Sequence, residues 1–224
     1  MADFFQNSAI TTLHKLRERP IEDIEQELTQ FSRQRPMALI LPSLYSELEG
    51  DALPAIVEQL KGATYIADII VGLDQADRKQ FQHARSFFAA LPQRTHLLWN
   101  DGPRLKEFDA ALAAEALSPQ RVGKGRNAWF CFGYALALER CEAIALHDCD
   151  IVTYDRALPA RLLYPVANPT FSFEFCKGYY SRVHKDRLSG RLTRLFYTPL
   201  IRALKQHVHA AVRDRQRGVA GRGR

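Results

Sequence analysis

The sequence predicts an α/β fold with a mostly parallel central sheet. Short apolar runs, typical of buried strands, alternate along the chain with longer segments whose apolar residues recur at helical spacing. Alternation of this kind favours a layered domain in which helices cover a parallel sheet. Polar residues follow several of the predicted strands, which is where sheets of this class bind their ligands. These observations therefore predict both a fold class and one edge of the sheet at which function is expected.

The composition is typical of a soluble globular protein. Of the 224 residues, 46% are hydrophobic and 25% are charged. No apolar run approaches the roughly 20 residues that a membrane helix needs, so no membrane span is expected. The N-terminus lacks the basic and then apolar pattern of a signal peptide, and the four cysteines show no CxxC spacing. A cytoplasmic protein with reduced thiols is the simplest interpretation.

The chain is basic, with a formal net charge of +6 and a pI of about 9.2. This charge favours an anionic partner such as nucleic acid, a nucleotide or a phosphorylated metabolite. Basic residues are most frequent in 182–194 and 213–217. No nucleic-acid-binding motif is present, however, and the basic residues are spread among acidic ones. A nucleic-acid partner is therefore not expected.

The first segment, residues 1–36, is predicted to be a helical extension. Apolar residues recur in it at helical spacing, and acidic residues occupy the other faces. The recurring apolar positions are Ile21, Ile24, Leu28 and Phe31. We expect this helix to pack on the outside of a domain that spans residues 37–210.

The predicted elements of that domain alternate between strands and helices. Strands are expected at 37–41, 65–71, 95–99, from 143 onward and at 171–175. Helices are expected at 51–60, 76–91, 104–117, 123–140 and 156–163, with a last one near 193–204. The final residues, 211–224, are rich in Gly and Arg and are expected to form a disordered basic tail.

Two aspartates separated by one residue, Asp148 and Asp150, follow the apolar run that begins at Ala143. Such a pair at the end of a strand can face one cation, and Mg²⁺ is typically held by one or two carboxylates together with substrate phosphates. An isolated Asp-x-Asp is a weak signal, because most such pairs are turn or solvated loop residues. The loop at Pro42 and the side chain of Asp74 are also expected at strand carboxyl ends, so the pattern favours a site there.

Two further positions could bind an anion. Lys124, within Gly-Lys-Gly, opens a predicted helix, and free backbone N–H groups at such a start favour phosphate. The spacing is not that of a phosphate-binding P-loop, so a solvent-facing turn remains an alternative there. Arg191 and Thr193 precede the last apolar helix and could bind an anion through guanidinium, hydroxyl and backbone N–H groups.

Six short motifs in order resemble one known family. Taken together, they are similar to the glucosyl-3-phosphoglycerate and mannosylglycerate synthase-like glycosyltransferases of GT-A fold. The resemblance covers roughly residues 37–205. The motifs are Pro42-Ser43-Leu44 with Glu47, Leu73-Asp74, Gly123-Lys124-Gly125, Asp148-Cys149-Asp150-Ile151, Lys177-Gly178-Tyr179-Tyr180 and Gly190-Arg191-Leu192-Thr193.

The resemblance implies a GT-A, Rossmann-like domain and the transfer of a hexose, with retention, from a nucleotide diphosphate sugar to a glycerate-type acceptor. The residues that it implies for donor binding are Pro42, Ser43, Leu44, Glu47, Asp74, Lys124 and Asp148. Metal binding would involve Asp148 and Asp150, and catalysis Asp150 and Arg191. The acceptor's carboxylate or phosphate would be held by Lys177, Gly190, Arg191 and Thr193.

The implied cofactor is Mg²⁺ or Mn²⁺, which would neutralise the charge on the leaving diphosphate. The implied donors are UDP-glucose, GDP-glucose or GDP-mannose, and the acceptors are 3-phosphoglycerate or glycerate. A homodimer is one possible assembly. A strong protein base is not required, because in retaining enzymes of this kind the leaving phosphate is thought to take the acceptor's proton.

The chain departs from the family in three respects. Members are considerably longer, and they usually offer a further histidine ligand to the metal beyond the Gly-Arg-x-Thr helix. The late histidines here, His207 and His209, are expected on a helix surface instead. Arg194 stands where many relatives carry an acidic residue.

Three alternatives to an active transferase remain. The first is a truncated or non-catalytic remnant that only binds the nucleotide sugar. The second is a sugar-phosphate nucleotidyltransferase, although such enzymes typically carry a Gly-rich loop after the first strand, which this chain lacks. The pair His147-Asp148 suggests a third, an HD-type phosphohydrolase, but that fold is helical whereas this pair follows a predicted strand.

Overall fold

The computed structural model describes residues 18–119, 121–171, 173–178, 183–184, 187–188, 200 and 203–204. The chain divides into two compact units, Met1–Lys177 and Gly178–Arg224.

The first unit contains a four-stranded sheet in which every pair of neighbouring strands is parallel. Its strands are β1 (Met37–Leu44), β2 (Ile66–Asp74), β3 (Arg94–Trp99) and β4 (Ala143–Leu146), in the spatial order β3-β2-β1-β4. The helices are α1 (Ile21–Phe31), α2 (Ala52–Leu60), α3 (Arg78–Phe88), α4 (Pro103–Ala114), α5 (Lys124–Leu138) and α6 (Ala157–Ala167). The predicted α/β class with a mostly parallel sheet is confirmed.

Helices cover both faces of this sheet. The larger apolar core joins one face to the buried sides of α1, α2, α3 and α6. A smaller core, built from Ile40, Ile70, Cys131 and Ala135, lies between the other face and α5. Because strand side chains alternate between the two faces, β1 and β2 are buried on both sides and read as nearly continuous apolar runs.

The predicted N-terminal helix is present as α1. Ile24 and Leu28 are buried in the larger core, and Ile21 and Phe31 pack against it. The helix thus covers one face of the sheet with the apolar stripe that its sequence predicts. Its boundary with the domain that follows, drawn at residue 36, stays a prediction.

The predicted loop at Pro42-Ser43-Leu44 is wrong, because these residues are the last three of β1. They pair with Gly72, Leu73 and Asp74 of β2. The neighbouring strand β4 ends opposite Ile40, so β1 has a strand partner only on the β2 side beyond that point. A proline is tolerated in a strand at such an edge position, because the missing N–H costs no ladder hydrogen bond there.

Other boundaries shift by a few residues, and one predicted strand is wrong. In the described part of 171–175, no residue belongs to a strand. Aromatic contacts account for the apolar alternation there, because Phe171 packs edge-on against both Tyr164 and Phe173. No helix in the described part of the chain is long and apolar enough to cross a membrane.

A buried carboxylate stabilises the sheet near its amino end. Asp68 of β2 accepts two hydrogen bonds from the guanidinium of Arg94 on β3, at 3.0 and 2.8 Å, and contacts Nε2 of His96 at 2.9 Å. The Arg94 hydrogen bond is the main cause that lowers the pKa of Asp68 to about 2. This cluster ties β2 to β3 at the amino ends of the strands. The residues with predicted function lie at the carboxyl ends.

In the second unit, Val183–His184 pairs antiparallel with Arg187–Leu188. Residues 200 and 203–204 are helical, which agrees with the predicted late helix. The residues between and after these, including Gly190, Arg191 and Thr193, lie outside the described part of the chain, as does the predicted tail 211–224.

Candidate functional site

The carboxyl ends of β1, β2 and β4 and the first turn of α5 meet at one edge of the sheet. Contacts of α5 demonstrate this arrangement. Nδ2 of Asn127 donates a hydrogen bond of 2.9 Å to the carbonyl of Gly72 on β2 and lies 3.5 Å from that of Ser43 on β1. The ammonium of Lys124 forms an ion pair with Asp148, just after β4. The structure therefore brings most of the predicted donor residues to one place.

The loop that follows β4 alternates buried and exposed side chains. His147 and Cys149 are each 2% exposed, whereas Asp150 is exposed and the side chain of Asp148 is 46% exposed. Ile151, the next residue, packs against the core. This alternation directs both carboxylates outward, where a cation and a diphosphate can reach them.

A buried hydrogen bond closes the ends of this loop. Nδ1 of His147 and the hydroxyl of Tyr154 share a hydrogen bond of 2.9 Å, and their rings meet edge-on at 5.5 Å. Burial lowers the pKa of His147 to about 4, although the neighbouring Asp148 raises it. The imidazole is therefore neutral at physiological pH, and its burial prevents it from acting as a base toward a bound ligand.

Lys124 occupies the first position of α5, directly after Gly123. That glycine has φ of +138°, a conformation that residues with a Cβ atom rarely adopt, so it sets the direction in which the helix begins. The side chain of Lys124 is 55% exposed and reaches Asp148. The lysine thus combines with the helix N-terminus to make a cationic point beside the two carboxylates.

Glu47, which the resemblance implies for donor binding, is tied to the end of β1. Its Oε2 accepts hydrogen bonds from the backbone N–H of Leu44 at 2.9 Å and from the hydroxyl of Ser43 at 3.0 Å. The glutamate caps a 3-10 turn that covers Tyr45–Glu49. Its carboxylate therefore fixes the end of β1 and the turn that follows it.

Asp74, at the end of β2, is 4% exposed. Its Oδ1 accepts a hydrogen bond of 2.7 Å from Nδ2 of Asn100, which follows β3. Burial raises the pKa of Asp74, while hydrogen bonding to Asn100 and the charge of Arg126 lower it. Asp74 thus lies at the predicted edge as part of a buried polar cluster rather than as an open carboxylate.

Asn127, which belongs to none of the sequence motifs, organises this edge. It is 1% exposed and ties α5 to both central strands. A Cβ atom at Gly72 would lie 1.7 Å from its Oδ1, so the close approach requires glycine there. The sequence signals this contact only by an asparagine in an apolar helix and a glycine in an apolar strand. That the two residues are partners becomes apparent only once the packing of α5 on β2 is known.

The residues at this edge suit a hard divalent cation only in part. Among the residues that the structure describes, no group of three or more His, Cys, Asp or Glu could hold a metal ion. Asp148 and Asp150 supply the oxygen ligands that Mg²⁺ or Mn²⁺ prefers. The carboxylate of Asp148, however, is already paired with the ammonium of Lys124. A metal here would need further ligands from a substrate diphosphate.

The residues predicted for the acceptor are not brought to this edge by any described contact. Lys177 is exposed at the end of the first unit. Gly190, Arg191 and Thr193 lie outside the described residues. Their roles therefore stay predictions.

Comparisons with known proteins identify relatives of this chain. It is 50% identical over 204 residues to a glucosyl-3-phosphoglycerate synthase of Persephonella marina, covering 91% of this chain and 50% of that protein. It is 36% identical over 217 residues to a glucosyl-3-phosphoglycerate synthase of Methanococcoides burtonii, covering 94% of this chain and 52% of that protein. The chain thus spans about half the length of the curated relatives it matches, and no family model matches it.

Among solved structures, the chain is similar to glucosyl-3-phosphoglycerate synthase from Mycobacterium tuberculosis in complex with Mn²⁺, UDP and glucosyl-3-phosphoglycerate. That similarity has a TM-score of 0.45 and 16% identity, over 70% of this chain and 47% of that one. The resemblance predicted from the sequence motifs is confirmed by the curated relatives.

Proposed function

Since the chain is homologous to glucosyl-3-phosphoglycerate synthases over about half of their length, we propose that it transfers glucose from a nucleotide diphosphate sugar to 3-phosphoglycerate. The observation that carries this proposal is the convergence of Lys124, Asp148 and Asp150 at one edge of the sheet. Two outward carboxylates and one ammonium at a helix N-terminus match the chemistry of a diphosphate bound with a cation. With this activity the domain would have the GT-A fold that the resemblance of the sequence motifs implies.

The leaving group explains why these charges are needed. When the bond from the sugar carbon to the diphosphate oxygen breaks, negative charge develops on that oxygen. A divalent cation on Asp148 and Asp150 would, when bound, supply positive charge at this point. Lys124 adds a second positive charge from a helix start whose backbone N–H groups already favour anions.

We propose that the transfer retains the configuration of the sugar. The acceptor hydroxyl oxygen bonds to the sugar carbon from the side that the diphosphate leaves, and its proton passes to the departing phosphate. Such a reaction needs no protein base near the sugar. The buried His147 agrees with this, because its imidazole is 2% exposed and bonded to Tyr154.

One experiment tests the proposal directly. Release of nucleoside diphosphate is measured with UDP-glucose, GDP-glucose and GDP-mannose, each crossed with 3-phosphoglycerate and glycerate, with and without Mg²⁺ or Mn²⁺. We expect the fastest release with a glucose donor, 3-phosphoglycerate and metal together. Release that does not depend on an acceptor or on metal would contradict the proposal.

A second candidate function is binding of the nucleotide sugar without transfer. The observation in its favour is that residues predicted for the donor meet at one edge of the sheet, whereas no described contact brings Lys177, predicted for the acceptor, to that edge. In the same assay this candidate predicts donor binding by calorimetry with no acceptor-dependent release. A sugar-phosphate nucleotidyltransferase is less favoured, because β1 ends in Pro42-Ser43-Leu44 without a glycine.

The first prediction concerns Lys124, whose loss should have opposite effects on two ligands. In Lys124→Ala we expect nucleotide affinity to fall roughly 5–10-fold, as loss of a charged hydrogen bond should produce. Affinity for Mn²⁺ alone should instead rise about two- to fivefold, because the cation no longer displaces the ammonium from Asp148. Calorimetry with each ligand separately measures both effects.

The control for this variant is Lys61→Ala. Lys61 directly follows α2, is also partly exposed, and forms an ion pair with Glu58. Neither affinity should change in that variant. A fall in both affinities in Lys124→Ala, accompanied by a lower melting temperature, would show that Lys124 is structural.

The second prediction concerns the acceptor. Arg191 lies in Ser-Gly-Arg-Leu-Thr before the predicted late helix, and a planar guanidinium matches a carboxylate or phosphate in a way that lysine cannot copy. Arg191→Lys should spare nucleotide binding and cost roughly 2–3 kcal/mol in acceptor-dependent transfer. The measurement is kcat/KM for 3-phosphoglycerate beside donor affinity. Full transfer activity in Arg191→Lys would place the acceptor elsewhere.

A further inference from the structure

We propose that the buried pair His147 and Tyr154 is a positioning device for the two outward carboxylates, Asp148 and Asp150. This inference rests on the proposed function, because the carboxylates are its proposed metal ligands. Neither His147 nor Tyr154 would touch the substrate. Their effect is to hold the intervening backbone in the one conformation that presents both aspartates on the same side.

The loop that carries the two aspartates is closed at both ends. His147 donates its backbone N–H to the carbonyl of Ile40 at 3.1 Å, which extends the pairing of β4 with β1 by one residue. Seven residues later the hydroxyl of Tyr154 returns to Nδ1 of the same histidine at 2.9 Å. The loop from 147 to 154 is thus a closed turn whose two ends share one buried hydrogen bond.

The inner side of the loop packs against the core. Between the two ends, the side chain of Cys149 is 2% exposed and belongs to the larger apolar core. Ile151 packs against the same core. With positions 147, 149 and 151 facing inward, the residues between them have to face outward, and these are Asp148 and Asp150.

A less tightly held loop would lose affinity. An exposed carboxylate pair on a free loop must be ordered when a cation binds, and that ordering costs conformational entropy. Partners that orient metal ligands from outside the coordination sphere typically contribute 10- to 100-fold in metal affinity. The sequence does not predict this pair, because both residues lie in the loop between β4 and α6, where no helix or strand periodicity relates them.

The chain offers a matched pair of tyrosines for the test. Tyr154→Phe keeps the ring and removes the hydroxyl that bonds to His147. Tyr65→Phe is the control, because Tyr65 is equally buried and its hydroxyl has no hydrogen-bond partner in the described part of the chain. Both variants remove one buried oxygen from the same apolar core.

Two measurements on the full chain decide the matter. Hydrogen exchange of the amides at 148–153 should become roughly tenfold faster in Tyr154→Phe and stay within about twofold in Tyr65→Phe. The gain in UDP-glucose or GDP-glucose affinity on adding Mn²⁺ should fall about tenfold in Tyr154→Phe, while affinity without metal changes less than about twofold. Equal behaviour of the two variants would overturn the inference.

The remaining outcomes separate this inference from the proposed function. If exchange accelerates in Tyr154→Phe while the Mn²⁺-dependent gain survives in full, the pair does not position the carboxylates and only the inference fails. If the unmodified chain shows no Mn²⁺-dependent gain in affinity for any nucleotide sugar, the proposed metal site is wrong, and the inference that rests on it is wrong as well. A loss of metal-free nucleotide affinity as large as the loss of the gain would show a general structural role and also overturn the inference.

Discussion

Asp150→Ala is expected to abolish the metal-dependent gain in nucleotide-sugar affinity and to lower acceptor-dependent transfer about 1,000-fold, or roughly 4 kcal/mol. The physical reason is that Asp150 is the more exposed of two outward carboxylates, and nothing described in the structure could replace it as an oxygen ligand. The remaining carboxylate, Asp148, already contacts Lys124. A cation would then have one shared protein ligand instead of two.

The measurement is calorimetry of donor binding with and without Mn²⁺, followed by the diphosphate-release assay. The control is Glu142→Ala, which removes an exposed carboxylate at the opposite end of β4 and should leave both quantities unchanged. Asp150→Asn should behave as Asp150→Ala does, because a neutral amide keeps the shape but loses the charge. Equal donor affinity with and without metal in the unmodified chain would disprove the metal role altogether.

The fold was largely predictable because the apolar patterns of its elements are unambiguous. β1 and β2 are buried on both faces, so they appear as continuous apolar runs, and α1 carries one clear apolar stripe. The point at which a strand ends was less predictable. A proline after an apolar run predicts the end of a strand, but Pro42 is compatible with the last part of β1 because β4 stops opposite Ile40. That information lies in the pairing of strands and not in the local sequence.

The candidate site also has a part that the sequence predicts and a part that only the folded structure shows. Asp148 and Asp74 could be placed at one edge from the strand pattern alone, since carboxyl ends of parallel strands converge, whereas only the family resemblance linked Lys124 to them. What holds them there could not be predicted. His147 bonds to Tyr154 across a loop, and Asn127 of α5 bonds to Gly72 of β2, so neither contact lies within a single helix or strand whose periodicity could predict it. Only the folded register brings these partners together.

Gly72→Ala tests the second of these contacts and should have the largest effect on stability. A Cβ atom at this position would lie 1.7 Å from Oδ1 of Asn127 and 2.6 Å from Sγ of Cys131, both of which are buried on α5. Neither atom can move away without shifting the helix. We expect a loss of about 3 kcal/mol in the free energy of unfolding, at the upper end of overpacking effects in cores.

Because Lys124 begins the same helix one turn before Asn127, a shift of α5 should also move its ammonium relative to Asp148. Gly72→Ala should therefore weaken nucleotide binding even at temperatures where the protein stays folded. Denaturant unfolding gives the stability change, and calorimetry at a temperature well below the transition gives the change in nucleotide affinity. The two together distinguish a displaced helix from an unfolded chain.

Gly133→Ala is the matched control, since it makes the same change on α5 where an added Cβ atom meets nothing within 4 Å. In a helix interior this replacement should stabilise the protein by about 0.5–1 kcal/mol. Combining Gly72→Ala with Asn127→Ala should cost less than the sum of the single changes, by about 1–2 kcal/mol, because removing the amide makes room for the methyl group. Strict additivity would show that the two residues do not clash and that α5 is held at this edge by other contacts.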